Sequence, residues 1–340
     1  MNEIITIVGS GNWGSTIAKL VGKNQPDKII KMWVYDEIYN GEYLSKIINK
    51  THINEKYLPG IVLPDNIIAI PNLDEACKDA TILIFVLPSL FLDKVLKESR
   101  KYCDKNAIAV SLIKSMYFKD KPLLVSDIIR EYFPTSVMMG ANIAKDVAKE
   151  ELTESTLAGN PNDTKKLFPL FNNNNFIVTC TTDYHGVEIF GCLKNVLALG
   201  CGFIDGMGMG GNTKATIFRV GIIEMLRFCK YYYPMIDDNT IFESCGIADM
   251  MTTCYGGRHR KCAEEFIKTR DSWDAIEEKL LNGQKLQGSI TSKEMYNFLK
   301  KENLLYKFPI FISIYKISFE NADFCDLLDS ISKSLHIDKS

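Results

Sequence analysis

The sequence predicts an α/β protein: an N-terminal Rossmann-type doubly wound sheet followed by an all-α C-terminal substrate domain. Three observations predict it. A glycine-rich turn, "GSGNWG", follows an apolar run at the N-terminus and opens a stretch with helical spacing. Short apolar runs then alternate with helix-length segments as far as residue 182. From residue 183 to residue 340 the spacing becomes helical, and no convincing β-alternation returns. A chain of 340 residues, 46% of them hydrophobic, exceeds what one core usually organises, so two domains are expected, 1–182 and 183–340.

The runs Ile4–Val8, Ile29–Tyr35, Ala80–Pro88, Ala107–Ile113 and Ser136–Gly140 are short and continuously apolar, as parallel strands covered on both faces must be. Helix-length stretches such as Trp13–Gly22 and Phe91–Tyr102 lie between them. Thr153–Gly159 and Asn175–Thr181 read as two further strands, the polar interval 172–175 as a tight turn, and the tail after Asp329 as frayed. The second half opens with "DYHGVEIFGCLKNVLALGCGF", a long helical stretch.

Composition excludes several functions. With 40 Lys+Arg against 42 Asp+Glu the formal charge is −2, so no global field recruits nucleic acid or an anionic membrane, and any anion must be bound locally. The apolar runs are short and punctuated, so none is expected to span a bilayer. The ten cysteines form no C-x-x-C pair and the four histidines do not cluster; no metal is expected, and the thiols read as reduced. The N-terminus shows no leader pattern, which favours the cytoplasm.

Gly9, Gly11 and Gly14 form G-x-G-x-x-G between a strand and a helix, the context of a dinucleotide fingerprint. Gly9 permits the tight turn, Gly11 admits the pyrophosphate to the backbone, and Gly14 lets the helix lie close to the sheet. The N–H groups around Ser10, Asn12 and Trp13, at the positive end of the helix dipole, would face the phosphates. After the second strand, Tyr35, Asp36 and Glu37 offer an aromatic face and two carboxylates that accept from ribose hydroxyls and repel a 2′-phosphate, so NAD is expected over NADP.

Two lysines are out of place. Lys114 ends the strand run "AIAVSLIK", and Lys194 sits among Phe190, Cys192, Leu193, Val196 and Leu197 on a helical stretch. A buried lysine needs a partner, its ordinary value of about 10.4 should fall on desolvation, and such a lysine can trade protons near neutrality. A third constellation, Gly246–Lys261, combines Asp249, the hydroxyls of Thr252 and Thr253, the Gly256-Gly257 turn and Arg258, a pattern suited to a phosphate cradle.

The segments "VGSGNWGS", "KYLPG", "LIFVLP", "SLIK", "MGANIA", "LKNV", "GCGFIDGMGMGGNTKA", "ESCGIADMMTTCYGGRHRK" and "LLNGQKLQG" carry an end-to-end resemblance to the eukaryotic, cytosolic-type NAD-dependent glycerol-3-phosphate dehydrogenases. The resemblance implies reversible reduction of dihydroxyacetone phosphate to sn-glycerol 3-phosphate by NADH, in a homodimer built through the helical domain. It implies that Tyr35 and Phe91 flank the cofactor, and that Lys114, Ala144, Arg258, Lys285 and Gln287 touch cofactor or substrate. Lys194 matches the catalytic lysine, with Asn142, Asn195, Asp249 and Thr253 around the substrate. Arg258, Asn195 and Thr253 would anchor its phosphate, and Asn142 and Asp249 would orient lysines and substrate. Adjacent Lys194 and Asn195 separate the chain from β-hydroxyacid dehydrogenases of similar architecture, which space that pair by several residues, and retention of both lysines argues against a non-catalytic NADH-sensing scaffold. Two departures stand out. His259 follows the phosphate-binding Arg where animal relatives carry Asn, and it would add a charge below about pH 6.5. Ser115 replaces a usual Gly after the strand lysine.

Overall fold

A computed structural model describes residues 3–337, which form two compact units. The first comprises the chain as far as Lys114 together with Val125–Tyr184, and the second comprises Ser115–Leu124 and the chain from His185 onward.

In the first unit, β1 (Ile5–Val8) leads into α1 (Asn12–Asn24) and then β2 (Ile30–Trp33). A small hairpin, β3 (Ile38–Tyr39) and β4 (Glu42–Tyr43), precedes α2 (Leu44–Thr51), β5 (Ile67–Ile70) and α3 (Leu73–Cys77). Next come β6 (Ile82–Phe85), α4 (Leu92–Tyr102) and β7 (Ile108–Ser111). After the ten-residue excursion into the second unit, α5 (Val125–Arg130), β10 (Thr135–Met139), α6 (Ala144–Ala148), β11 (Thr153–Ala158), α7 (Pro161–Phe171) and β12 (Phe176–Thr181) complete it. The excursion itself is a hairpin, β8 (Met116–Phe118) and β9 (Pro122–Leu124).

The eight-stranded sheet runs β12-β11-β10-β7-β6-β1-β2-β5. The six strands from β10 to β5 are parallel, β11 runs antiparallel to β10, and β12 is parallel to β11. The chain leaves β1 in one direction through β2 and β5, then returns to its other side through β6, β7 and β10. That reversal creates a switch point between β1 and β6, where the carboxyl ends of strands in such sheets receive ligands. The sequence reading did not anticipate β5, whose four residues alternate buried and exposed rather than forming a continuous apolar run.

The second unit is helical apart from its hairpin. It contains α8 (Tyr184–Gly206), α9 (Gly211–Tyr232), α10 (Asp249–Gly256), α11 (Arg258–Thr269) and α12 (Trp273–Leu281), then α13 (Gln287–Lys301), α14 (Pro309–Phe319) and α15 (Cys325–Ile337). Its core gathers around α8, whose Ile189, Phe190, Leu193, Val196, Leu197 and Phe203 are buried. By length and composition α8 could cross a membrane, with mean hydropathy 1.6, contrary to the reading of only short apolar runs; that stretch is wholly buried by its neighbours. Small Gly, Cys and Ala residues join what looked like separate runs.

Two other expectations are corrected. The boundary falls after Tyr184, whose ring lies 3.5 Å beneath the Arg130 guanidinium of the first unit, and the hairpin at 115–124 belongs to the second. Residues 330–337 are helix rather than frayed tail, because Ser330 and Ser334 are buried and Ser330 donates to the Leu327 carbonyl at 2.6 Å, while 338–340 lie outside the described residues.

Candidate active site

Gly9 follows β1 with φ +127°, and a Cβ there would lie 2.4 Å from the Val86 carbonyl oxygen beyond β6. A Cβ on Gly14 would lie 2.2 Å from the Gly9 oxygen. Both positions therefore demand glycine. Gly11 faces open space, and no side chain caps the N-terminus of α1. The first-turn N–H groups of Asn12, Trp13 and Gly14 and the helix dipole are thus available to an anion, so this turn fits a dinucleotide pyrophosphate. Ser10 is buried and its carbonyl accepts from Ser15 Oγ at 3.1 Å and Asn54 Nδ2 at 2.8 Å; Asn54 Nδ2 also reaches Ser15 Oγ at 2.8 Å. Asn54, fully buried, is a support that the sequence reading missed. Its only signal was its place just before "KYLPG".

Tyr35 and Phe91 are 74% and 54% exposed, large apolar faces suited to flank a cofactor. Ala144 opens α6, and its carbonyl accepts from Thr16 Oγ1 of α1 at 3.1 Å. The carboxylates after β2 each have partners within the protein. Asp36 accepts from Ser45 N and Ser45 Oγ, each at 3.0 Å, at the start of α2. Glu37 accepts from Lys56 Nζ, and from Tyr57 OH at 2.7 Å. Burial alone would raise the Glu37 carboxyl, but the hydrogen bonds from Lys56 and Tyr57 outweigh it and hold it below the usual range. Lys114 Nζ donates to the Gly140 carbonyl at 3.0 Å, and Asn142 beside it donates to the Glu154 carbonyl at 2.9 Å and accepts from Ser155 Oγ at 3.2 Å.

In the second unit Lys194 is 5% exposed, and its Nζ donates to Asp249 Oδ1 and, at 2.8 Å, to Thr253 Oγ1. Asp249 opens α10 after a kink at Gly246, where a Cβ would lie 2.0 Å from the Ile241 oxygen. Thr253 is one turn on and spends its own proton on the Asp249 carbonyl at 2.7 Å. Its hydroxyl therefore holds the lysine, which corrects the expectation of a free phosphate donor. The lysine is buried with a carboxylate and a hydroxyl as partners, as a buried lysine requires.

Asn195 and His259 meet at the start of α13. A Cβ on Gly288 would lie 2.6 Å from the Asn195 oxygen and 2.8 Å from His259 Cδ2. His259 is buried, and among the described residues its Nε2 has no partner. Burial, and then the charges of Arg258 and Lys194, push it well below 6.5. It is a neutral imidazole, contrary to the expected added charge. Arg258, at the first position of α11, is exposed and donates to Gln284 Oε1 at 3.3 Å. Gln287 donates to Ser115 Oγ and Thr291 Oγ1, both at 3.4 Å. Lys285 is held by Asp274 and Glu277 at 2.5 and 2.8 Å, so its ammonium is spoken for within the protein. Among the described residues no cluster of His, Cys, Asp and Glu suits a metal ion.

A pyrophosphate-ready turn at the switch point of a parallel sheet, with a buried lysine–carboxylate pair elsewhere in the chain, defines a dinucleotide-dependent oxidoreductase. Two family models match: the N-terminus of NAD-dependent glycerol-3-phosphate dehydrogenase over residues 4–165 and its C-terminus over 183–329. The chain belongs to the NAD-dependent glycerol-3-phosphate dehydrogenase family, which interconverts dihydroxyacetone phosphate and glycerol 3-phosphate. It is 46% identical over 326 residues to the human cytoplasmic glycerol-3-phosphate dehydrogenase [NAD(+)], covering 93% of each chain. It is 44% identical over 337 residues to the glycerol-3-phosphate dehydrogenase 1-like protein of Xenopus tropicalis, covering 96% of each. The glycerol-3-phosphate dehydrogenase structure from Plasmodium falciparum superposes with a TM-score of 0.91 at 40% identity, covering 96% of this chain and 94% of that one.

Proposed function

We propose that Lys194 is the general acid and base of this chain's reaction. The observation that carries the reading is its burial against Asp249 and Thr253. NADH held at the glycine turn would supply a hydride to C2 of dihydroxyacetone phosphate. As C2 accepts it and the carbonyl π pair moves to oxygen, the Lys194 ammonium gives that oxygen its proton; in the oxidative direction the neutral amine takes it back. Asp249 holds the ammonium in place and offsets its burial. By the family resemblance, Lys114 would add a second positive charge for the oxyanion and Asn142 would help to orient the reacting groups.

Gly9–Gly14 would hold the pyrophosphate, Tyr35 and Phe91 would flank the cofactor, and Ala144, Lys285 and Gln287 would complete its surroundings. Arg258, with Asn195 and His259, would grip the substrate phosphate, whose remote binding energy fixes the carbonyl for attack and discriminates against unphosphorylated dihydroxyacetone. A cytoplasmic location fits the name of the human relative, and the family resemblance favours a homodimer through the helical unit. Burial of α8 supports a core helix rather than a membrane span. The test is spectrophotometric NADH oxidation with dihydroxyacetone phosphate: the wild type should turn over and Lys194→Ala should lose about 10² or more in kcat. Near-normal kcat in that variant would overturn the assignment.

A further inference from the structure

The segment 54–57 is tied at one end to the glycine turn and at the other to Glu37. Asn54 Nδ2 bonds the Ser10 carbonyl and Ser15 Oγ of the glycine turn, each at 2.8 Å, and Asn54 Oδ1 accepts from Tyr57 N at 3.2 Å. Lys56 and Tyr57 then close on Glu37, four residues past β2, where dinucleotide sheets of this topology read the 2′ position of the adenosine ribose. Lys56 also lies 5.1 Å from the centroid of the Tyr57 ring. A lysine thus stands at the corner where a 2′-phosphate would arrive, with its ammonium already occupied by a carboxylate. A lysine left free there would serve as a point charge for phosphate.

Resting on the reading that the glycine turn holds the cofactor, we infer that Glu37 sets the preference for NAD by sequestering Lys56, and that Lys56 is a latent receptor for the 2′-phosphate of NADP. Glu37 acts twice: it repels the phosphate, and it occupies the lysine that would bind it. Asp36 is committed to the start of α2 through Ser45 and contributes only its background charge.

The test measures binding of adenosine 2′,5′-bisphosphate and of ADP to the full chain by titration calorimetry, with no turnover needed. The wild type should bind ADP and discriminate against the bisphosphate. Glu37→Gln should tighten the bisphosphate tenfold or more, with ADP changed less than threefold, and the gain should shrink as salt rises. Lys56→Met alone should move the opposite way, because the unmasked Glu37 carboxylate then faces the phosphate. Glu37→Gln/Lys56→Met should lose the gain. A bisphosphate affinity unchanged in Glu37→Gln, a gain that survives in the double variant, or a Lys56→Met protein that binds the bisphosphate more tightly would each overturn the proposal. Failure of the wild type to bind ADP would instead overturn the cofactor reading beneath it. Should Glu37→Gln not fold, the direction of the Lys56→Met change decides.

Discussion

Replacing Asp249 with Ala leaves the Lys194 ammonium buried without its carboxylate. The two side chains are 7% and 3% exposed, so the pair belongs with desolvated ion pairs rather than with surface pairs worth about 0–1 kcal/mol. Removing one partner of such a pair costs roughly 3–5 kcal/mol. For a unit of this size each kcal/mol shifts Tm by about 2–4 °C, so Asp249→Ala should lower the melting of the helical unit by roughly 6–20 °C. The stranded lysine escapes part of that cost by shedding its proton. Its folded-state pKa then lies below its unfolded one, the unfolded chain binds more protons, and the deficit should shrink as pH rises. Lys194→Met/Asp249→Leu removes both charges and should recover most of the lost Tm, while turnover stays down by about 10² or more. Calorimetry across pH, paired with NADH oxidation by each variant, separates the two effects. A Tm within about 2 °C of wild type in Asp249→Ala, or normal turnover in the doubly apolar variant, would refute the reasoning.

Chemistry and anchoring should fail differently. Lys194→Ala should depress kcat for both dihydroxyacetone phosphate and unphosphorylated dihydroxyacetone, whereas Arg258→Ala should cost roughly 1.5–3 kcal/mol in kcat/KM for the phosphorylated substrate and little for the other; equal weakening of both by the arginine variant would remove its phosphate role. NADH should support much faster turnover than NADPH at equal concentration, and equal efficiency would contradict the charge arrangement around Glu37. Because His259 titrates well below its ordinary 6.5, the unfolded chain takes up the proton first. Its contribution to stability should be complete above about pH 6.5 and fade as pH falls below that value, and His259→Asn should flatten this part of the melting profile. A pH dependence unchanged in that variant would show that the imidazole is not the group responsible.

The glycine turn was legible because its constraint is local: three residues, a strand before and a helix after. Lys194 was legible as a charge in an apolar helix, and the family resemblance set Asp249 and Thr253 near it, but no spacing rule does, since Asp249 reaches it only through the kink at Gly246. The protein partners of Asp36 and Glu37 were hidden for a similar reason. Their identity suggests ribose ligands, but their partners Ser45, Lys56 and Tyr57 come from the following helix and loop, and no spacing rule connects them. Asn54 carries no motif of its own, although it braces the turn. The last helix was missed because its buried positions include Ser330 and Ser334, which pack by being small and by satisfying their hydroxyls on the backbone or on Arg227.

The hairpin at 115–124 has a consequence for how the chain is made. Its packing partners come late: Phe118 lies 5.4 Å from Phe298 and 6.5 Å from Phe228, and Tyr233 OH donates to the Pro122 carbonyl across 111 residues of sequence. At roughly 5–20 residues per second, a nascent hairpin waits on the order of 5–20 s before Tyr233 is synthesised, and longer for Phe298. During that interval Met116 and Leu124, both buried in the finished helical core, have no core to enter. A polypeptide beginning at His185 would lack those two residues and the ring of Phe118. The helical half is therefore discontinuous in the chain, and its hairpin gains these partners only once residues 228–298 have been made.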